Sequence, residues 1–129
     1  LTIRENLQIP FDLNGLPLDE FFVKELIRQL ELEGLEDRYP HQLSGGQQQR
    51  AAIVRALAIQ PAVVLADEPT GNLDRLSAQK VMKLFRQVQR RLGITVIMVT
   101  HDLDLARQAD RILYMEDGRI SGFGEQDAA

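Results

Sequence analysis

The chain has 129 residues, enough for one domain with a buried core. Its 19 acidic and 15 basic residues give a net charge of −4. This charge argues against a nucleic-acid-binding surface, because phosphate backbones bind clustered positive charge. The absence of cysteine excludes disulfides and thiolate metal sites, and no apolar run is long enough to cross a bilayer. These limits predict a soluble domain or part of one.

The first half of the chain predicts loops followed by two helices. Residues 1–17 are expected to form loops and short turns, because they contain the breakers Pro10, Asn14-Gly15 and Pro17. In residues 18–34 the apolar side chains recur at helical spacing, and Gly34 is a plausible stop. Ser44 is a good cap for a second helix that extends to about residue 59.

In the second half, two apolar segments alternate with helical patterns. The predicted elements are a strand at 61–66, a helix at 75–92 ended by Gly93, a strand at 94–99, a short helix at 102–108, and a hairpin of 111–115 and 119–123 around Asp117-Gly118. Strands that alternate with helices predict an α/β fold, with a parallel sheet and crossover helices. Such strands are expected to be buried on both faces, and ligands gather at their carboxyl ends.

Two carboxylates, Asp67 and Glu68, directly follow the first predicted strand. They are compatible with a polar strand end that carries two acids and nothing more. A second interpretation is a Mg²⁺ site, because Mg²⁺ binds one or two carboxylates together with phosphate oxygens and water. In that interpretation Asp67 binds the metal, and Glu68 is free to orient or deprotonate a water molecule.

The stretch LSGGQQQR, residues 43–50, places two glycines behind a capping serine at the start of a helix. One interpretation is a capped helix with a flexible first turn. The other is an anion site, because a helix amino terminus has unpaired N–H groups and a partial positive charge. Gly45 and Gly46 would let a phosphate approach the backbone closely, and the Ser44 hydroxyl can donate to it.

His101 follows the second predicted strand and precedes Asp102. It is compatible with a hydrogen-bonded structural residue. Its position at the end of a parallel strand also suits a side chain that contacts a phosphate or handles a proton.

The order of these motifs resembles that of the ATP-binding cassette ATPases. The similar stretches are Leu43 to Gln47 for the signature motif, Val63 to Glu68 for the Walker B strand, Asn72-Leu73-Asp74 for the D-loop and Thr100-His101-Asp102 for the switch histidine. The opening residues 1–6 resemble the segment after the family's Q-loop, so the resemblance covers essentially the whole chain. The segments DEPTGNLD and YPHQLSGGQQQR are most similar in sequence to those of the lipoprotein-release and macrolide-export branch of the family.

The resemblance implies two catalytic residues and one metal ligand. Asp67 would help hold Mg²⁺, mostly through water, and Glu68 would be the base for the attacking water. His101 would contact the γ-phosphate of ATP.

The resemblance also implies a nucleotide site shared between two subunits. Ser44, Gly45, Gly46 and Gln47 would bind ATP held by a second cassette in a head-to-tail homodimer, with Ser44 and Gly46 at its γ-phosphate. Asp74 would lie at that dimer interface and couple the two sites. Residues 18–34 would belong to the surface that meets the membrane-spanning permease subunits.

The chain departs from the family pattern in one respect. The Walker A loop, G-x-x-x-x-G-K-[ST], has no counterpart, because none of the three lysines follows a glycine. We therefore interpret the chain as the carboxyl-terminal part of a cassette, a partial P-loop NTPase-type fold without its amino-terminal strands. Residues 1–60 would form the helical signature subdomain, and residues 61–129 the carboxyl-terminal part of the RecA-like core. The isolated piece is not expected to hydrolyse ATP.

The resemblance implies a subunit that couples ATP hydrolysis to transport, cytoplasmic and peripheral on the inner face of the membrane. One alternative is a soluble relative acting on ribosomes or DNA. Three features argue against it: Gln47, the sequence Asn72-Leu73-Asp74 and the acidic net charge. Another is a non-catalytic remnant that only binds a partner. The missing Walker A loop keeps this alternative open, whereas Glu68 and His101 argue against it.

Overall fold

A computed structural model of the chain describes residues 1–125. Its elements are α1 (Ile3–Asn14), α2 (Glu20–Gln29), a 3₁₀ turn (Pro40–Gln42), α3 (Gly45–Ala58), β1 (Val63–Asp67), α4 (Arg75–Leu92), β2 (Thr95–Val99), α5 (Leu103–Ala106), β3 (Arg111–Glu116) and β4 (Arg119–Glu125). Strands β1 and β2 are parallel neighbours joined by α4, which confirms the predicted α/β fold. Within residues 1–125, no helix is both long enough and apolar enough to span a membrane.

The prediction of loops in residues 1–17 is wrong, because α1 occupies most of that segment. A capping box starts the helix: Thr2 Oγ1 accepts from the Glu5 N–H at 3.2 Å, and the Glu5 carboxylate accepts from the Thr2 N–H at 3.3 Å. The side chains of Ile3, Leu7 and Phe11 are buried along one face. Pro10 lies inside the helix. The cap and the buried face offset the hydrogen bond that proline cannot donate.

The predictions for α3 and α4 are confirmed at both ends. Ser44 caps α3, and Asp74 caps α4. Helix α4 ends at Gly93, which adopts φ = 67°, a left-handed conformation that glycine adopts without strain. The local sequence signals therefore place both helices that flank the predicted site.

The expectation that both strands are buried on both faces is wrong for the described chain. Val64 in β1 is 5 % exposed, whereas Leu65 on the opposite face is 76 % exposed. In β2 the outward-facing Ile97 is likewise exposed. Alternate residues of a strand point to opposite sides, and the described residues cover only one side of β1.

The core of the first 98 residues lies among the helices and the inner face of β1. The largest fully buried side chains are Leu26, Leu30, Val54, Leu57 and Val81. They come from α2, the turn that follows it, α3 and α4, so packing between helices holds the start of α3 in place.

Leu57→Ala is expected to lower the free energy of unfolding by about 3 kcal/mol, because it removes a fully buried side chain and leaves a cavity. Urea denaturation measures the change. The control is Arg55→Ala on the exposed side of the same helix, with an expected change below about 0.5 kcal/mol. Equal losses in the two variants would show that Leu57 is not a core residue.

The chain divides into two compact units, Leu1–Met98 and Val99–Ala129. The second unit contains α5 and the predicted hairpin, in which β3 pairs antiparallel with β4. Its turn residues Asp117 and Gly118 both have positive φ, as the sequence indicated. The predicted division into residues 1–60 and 61–129 stays a prediction, and residues 126–129 of its second part lie outside the described residues.

Candidate functional site

Ser44 is the amino-terminal cap of α3. Its Oγ accepts from the Gln47 N–H at 3.1 Å, and the Gln47 side-chain oxygen accepts from the Ser44 N–H at 3.0 Å. These two bonds form a capping box and fix the first turn of the helix. A serine hydroxyl that accepts one bond still has its own hydrogen to donate. The exposed Ser44 can therefore cap the helix and bind an anion at the same time.

The two glycines of the first turn have different surroundings. A side chain at Gly45 would meet no atom within 4 Å, so this position faces open space. A Cβ at Gly46 would lie 3.4 Å from the Asn72 carbonyl oxygen and 3.5 Å from Leu73 Cδ2. The loop after β1 therefore packs against Gly46 at ordinary van der Waals distance, whereas Gly45 leaves the backbone accessible from outside.

Asp67 and Glu68 occupy the end of β1, as predicted. Asp67 is exposed, and Glu68 is half-buried with φ = 46°, in the left-handed region. Within residues 1–125, no group of three His, Cys, Asp or Glu side chains could hold a metal by itself. A single exposed carboxylate nevertheless suits Mg²⁺, which completes its ligands with phosphate oxygens and water. The metal role of Asp67 and the base role of Glu68 stay predictions.

Gln49 is a site residue that the sequence reasoning missed. Its side-chain N–H donates to the Glu68 carbonyl at 3.0 Å, and its side-chain oxygen accepts from the Asn72 side chain at 3.1 Å. Gln49 lies three residues after Gly46, on the same face of α3. The three-residue spacing from Gly46 to Gln49 is the sequence signal that could have identified Gln49. It places Gln49 on the face of α3 that contacts the loop after β1.

Asp74 caps α4 rather than pointing away from the chain. Its carboxylate accepts from the Ser77 N–H at 2.7 Å and from the Ser77 hydroxyl at 3.2 Å. These bonds lower the pKa of Asp74, the backbone N–H most strongly, and Arg50 contributes a weaker attraction. Asp74 is exposed, so its predicted place in a dimer interface is compatible with its surroundings and stays a prediction.

Charged side chains connect the end of α2 to α3 and α4. Glu31 is ion-paired with Lys80, and Arg50 Nη1 lies 3.7 Å from a Glu31 carboxylate oxygen. The hydrogen bond from Lys80 is the main cause of the lowered pKa of Glu31. The Nε atom of Arg50 is buried and, within the described residues, has no hydrogen-bond partner. The Glu31 carboxylate therefore lies between basic side chains of α3 and α4.

His101 belongs to the second unit and is exposed there. The neighbouring Thr100 Oγ1 accepts from the Asp102 N–H at 3.0 Å, and Asp102 caps α5. These bonds fix the backbone on both sides of His101. Its predicted contact with a γ-phosphate stays a prediction.

The first unit brings two of the predicted motifs together. Gly45 at the start of α3 and Asp67 at the end of β1 line one cavity of about 400 Å³, together with Gln49 and Asn72. An open glycine turn therefore shares a cavity with a carboxylate.

A pair of parallel strands, the first ending in carboxylates beside a glycine-rich helix start, is typical of the nucleotide-binding α/β class of proteins. Comparison with known families agrees: residues 1–71 match the family model described as ABC transporter. The chain belongs to this family, which confirms the resemblance found in its motifs.

Curated relatives include transport proteins of different kinds. The chain is 44% identical over 126 residues to the uncharacterized ABC transporter ATP-binding protein MJ0796 of Methanocaldococcus jannaschii, covering 93% of this chain and 54% of the relative. It is 47% identical to the macrolide export ATP-binding/permease protein MacB of Chlorobium phaeobacteroides, covering 93% and 18%. It is 44% identical to the methionine import ATP-binding protein MetN of Geobacillus kaustophilus, covering 96% and 37%.

Solved structures show the same fold. The dimeric structure of MJ0796, a bacterial ABC transporter cassette, matches with a TM-score of 0.88 at 39% identity, covering all of this chain and 58% of that one. The dimeric post-hydrolysis state of that cassette, bound to ADP and Pi, also has a TM-score of 0.88, at 38% identity. The chain thus spans about half of that cassette and 18% to 54% of the three curated relatives above.

Proposed function

We propose that this chain is part of the nucleotide-binding subunit of an ABC transporter, which couples ATP binding and hydrolysis to transport across a membrane. The observation that carries the proposal is the first turn of α3. Ser44 caps it, Gly45 leaves its backbone accessible, and Gly45 lines a cavity together with Asp67. Such a turn suits the phosphates of ATP held by a second subunit, and the carboxylate after β1 suits the Mg²⁺ of a nucleotide held by this chain.

The proposal gives each site residue one role. In a head-to-tail homodimer, Ser44, Gly45, Gly46 and Gln47 bind the phosphates of ATP held by the second subunit. The open space at Gly45 and the spare hydroxyl hydrogen of Ser44 support this arrangement.

The remaining roles concern hydrolysis within one subunit and contact between two. Asp67 helps to hold Mg²⁺, Glu68 deprotonates the attacking water and His101 contacts the γ-phosphate. Asp74 lies at the dimer interface. Integral membrane permease subunits bind the helical part of the chain and keep the protein at the inner face of the membrane.

The test is ATP hydrolysis by the full-length protein that contains this chain, assayed with Mg²⁺. We expect turnover that requires Mg²⁺, and dimers that form with ATP and separate after hydrolysis. Turnover should also respond to the permease subunits when the complex is reconstituted in lipid vesicles. A full-length protein that neither hydrolyses ATP nor dimerises with it would contradict the proposal.

A further inference from the structure

The loop from Glu68 to Asp74 starts in an unusual backbone conformation. Glu68 has φ = 46°, a region that residues with a side chain seldom adopt. Such a conformation persists only when its surroundings hold it, and it is common where a side chain must be aimed at a reaction. The contacts of the Glu68 backbone therefore bear on where its carboxylate lies.

Two hydrogen bonds hold the Glu68 carbonyl group. One comes from the Gly71 N–H within the loop, at 3.1 Å. The other comes from the Gln49 side chain on α3, at 3.0 Å. Of these two bonds, the second joins Glu68 to α3, an element outside its own loop.

Gln49 uses both ends of its amide group on this loop. While its N–H donates to Glu68, its oxygen accepts from the Asn72 side chain at 3.1 Å. The close approach of Asn72 to Gly46 brings the same loop against the first turn of α3. Gln49 thus joins two points of the loop, Glu68 and Asn72, to one helix.

We propose that Gln49 is a positioning residue for hydrolysis: it fixes the backbone of Glu68 to the helix whose first turn binds the partner's nucleotide. Ser44 and Gln49 belong to the same helix, so this contact fixes the Glu68 backbone relative to the turn that binds the partner's nucleotide. This inference rests on the proposed function.

The test is steady-state ATP hydrolysis by the full-length protein carrying Gln49→Ala or Gln49→Glu. Both variants are expected to lower kcat about 10-fold and to change the KM for ATP less than about 2-fold, since small misplacement of a reacting group slows chemistry more than binding. Gln49→Glu nearly preserves the volume of the side chain but cannot donate to the Glu68 carbonyl. An equal loss of kcat in Gln49→Glu and Gln49→Ala would assign that loss to the hydrogen bond between the Gln49 side chain and the Glu68 carbonyl.

Gln48→Ala is the matched control. Gln48 also donates from α3 to backbone carbonyls, at Pro40 and Leu43, but not to the loop after β1. Its kcat should stay within about 2-fold of the wild type. A Gln49→Ala variant with normal kcat, or with raised KM and normal kcat, would overturn the inference.

A double variant separates positioning from general damage. If Gln49 acts through Glu68, adding Gln49→Ala to Glu68→Gln should lower the residual rate by less than about 2-fold. A further 10-fold loss would contradict the inference. A wild-type protein without ATP hydrolysis would instead contradict the proposed function, whereas active wild type with unaffected Gln49 variants would contradict the positioning role alone.

Discussion

Glu68→Gln in the full-length protein is expected to lower kcat for ATP hydrolysis at least about 100-fold while leaving ATP-dependent dimerisation intact. Glutamine is nearly the same size as glutamate, so the loop and its hydrogen bonds to Gln49 and Gly71 through the Glu68 carbonyl can persist. What is lost is the carboxylate that accepts a proton from water. Phosphate contacts at Ser44 are unchanged, so binding and closure should survive.

Steady-state ATP hydrolysis measures kcat, and size-exclusion chromatography with ATP measures dimer formation. Glu33→Gln is the control, because it makes the same chemical change at an exposed position outside the site. Its rate should remain within about 2-fold of the wild type. Near-normal hydrolysis by Glu68→Gln would refute the base role of Glu68.

Ser44→Arg is expected to abolish ATP-dependent dimerisation. The arginine side chain would fill the space in front of the first turn of α3, where the proposal places the partner's γ-phosphate. The substitution also removes the hydroxyl that accepts from Gln47. Loss of such a cap is worth about 1 kcal/mol, far less than is needed to unfold a typical domain.

Two control variants distinguish the effect of losing the helix cap from the effect of blocking the position of the phosphate. Thr2→Arg removes the equivalent cap of α1, a helix to which the proposal gives no nucleotide contact, and should leave dimerisation unchanged. Ser44→Asp keeps a good capping side chain but repels phosphate, so it should prevent dimerisation with little change in stability. Size-exclusion chromatography in the Glu68→Gln background gives the measurement, since hydrolysis is then suppressed. Dimers that form normally with Ser44→Arg would show that Ser44 does not face the partner's nucleotide.

Much of the fold was predictable because its signals are local. Ser44 was expected to cap α3, and Gly93 to end α4; both do. The turn at Asp117-Gly118 has the positive φ angles that its sequence indicates. The breakers in residues 1–17 predict loops, but the Thr2–Glu5 capping box and the buried face of Ile3, Leu7 and Phe11 favour helix α1 in the folded chain.

The candidate site was predictable as a set of motifs but not as an arrangement. The order of the four motifs that contain Ser44, Asp67, Asp74 and His101 identifies the family, which the match over residues 1–71 confirms. Nothing in that order indicates that the loop after β1 packs against Gly46 or that Gln49 donates to Glu68. The roles of the individual residues stay predictions.

The amino-acid sequence alone determined the helix caps, the hairpin turn and the family, since each depends on residues a few positions apart or on motifs in a fixed order. Only the tertiary structure decided that α1 continues through Pro10, that Leu65 is exposed and that Gln49 contacts Glu68. The physical reason is distance along the chain. Burial and the hydrogen bond from Gln49, 19 residues before its acceptor, exist only after separate elements have packed together.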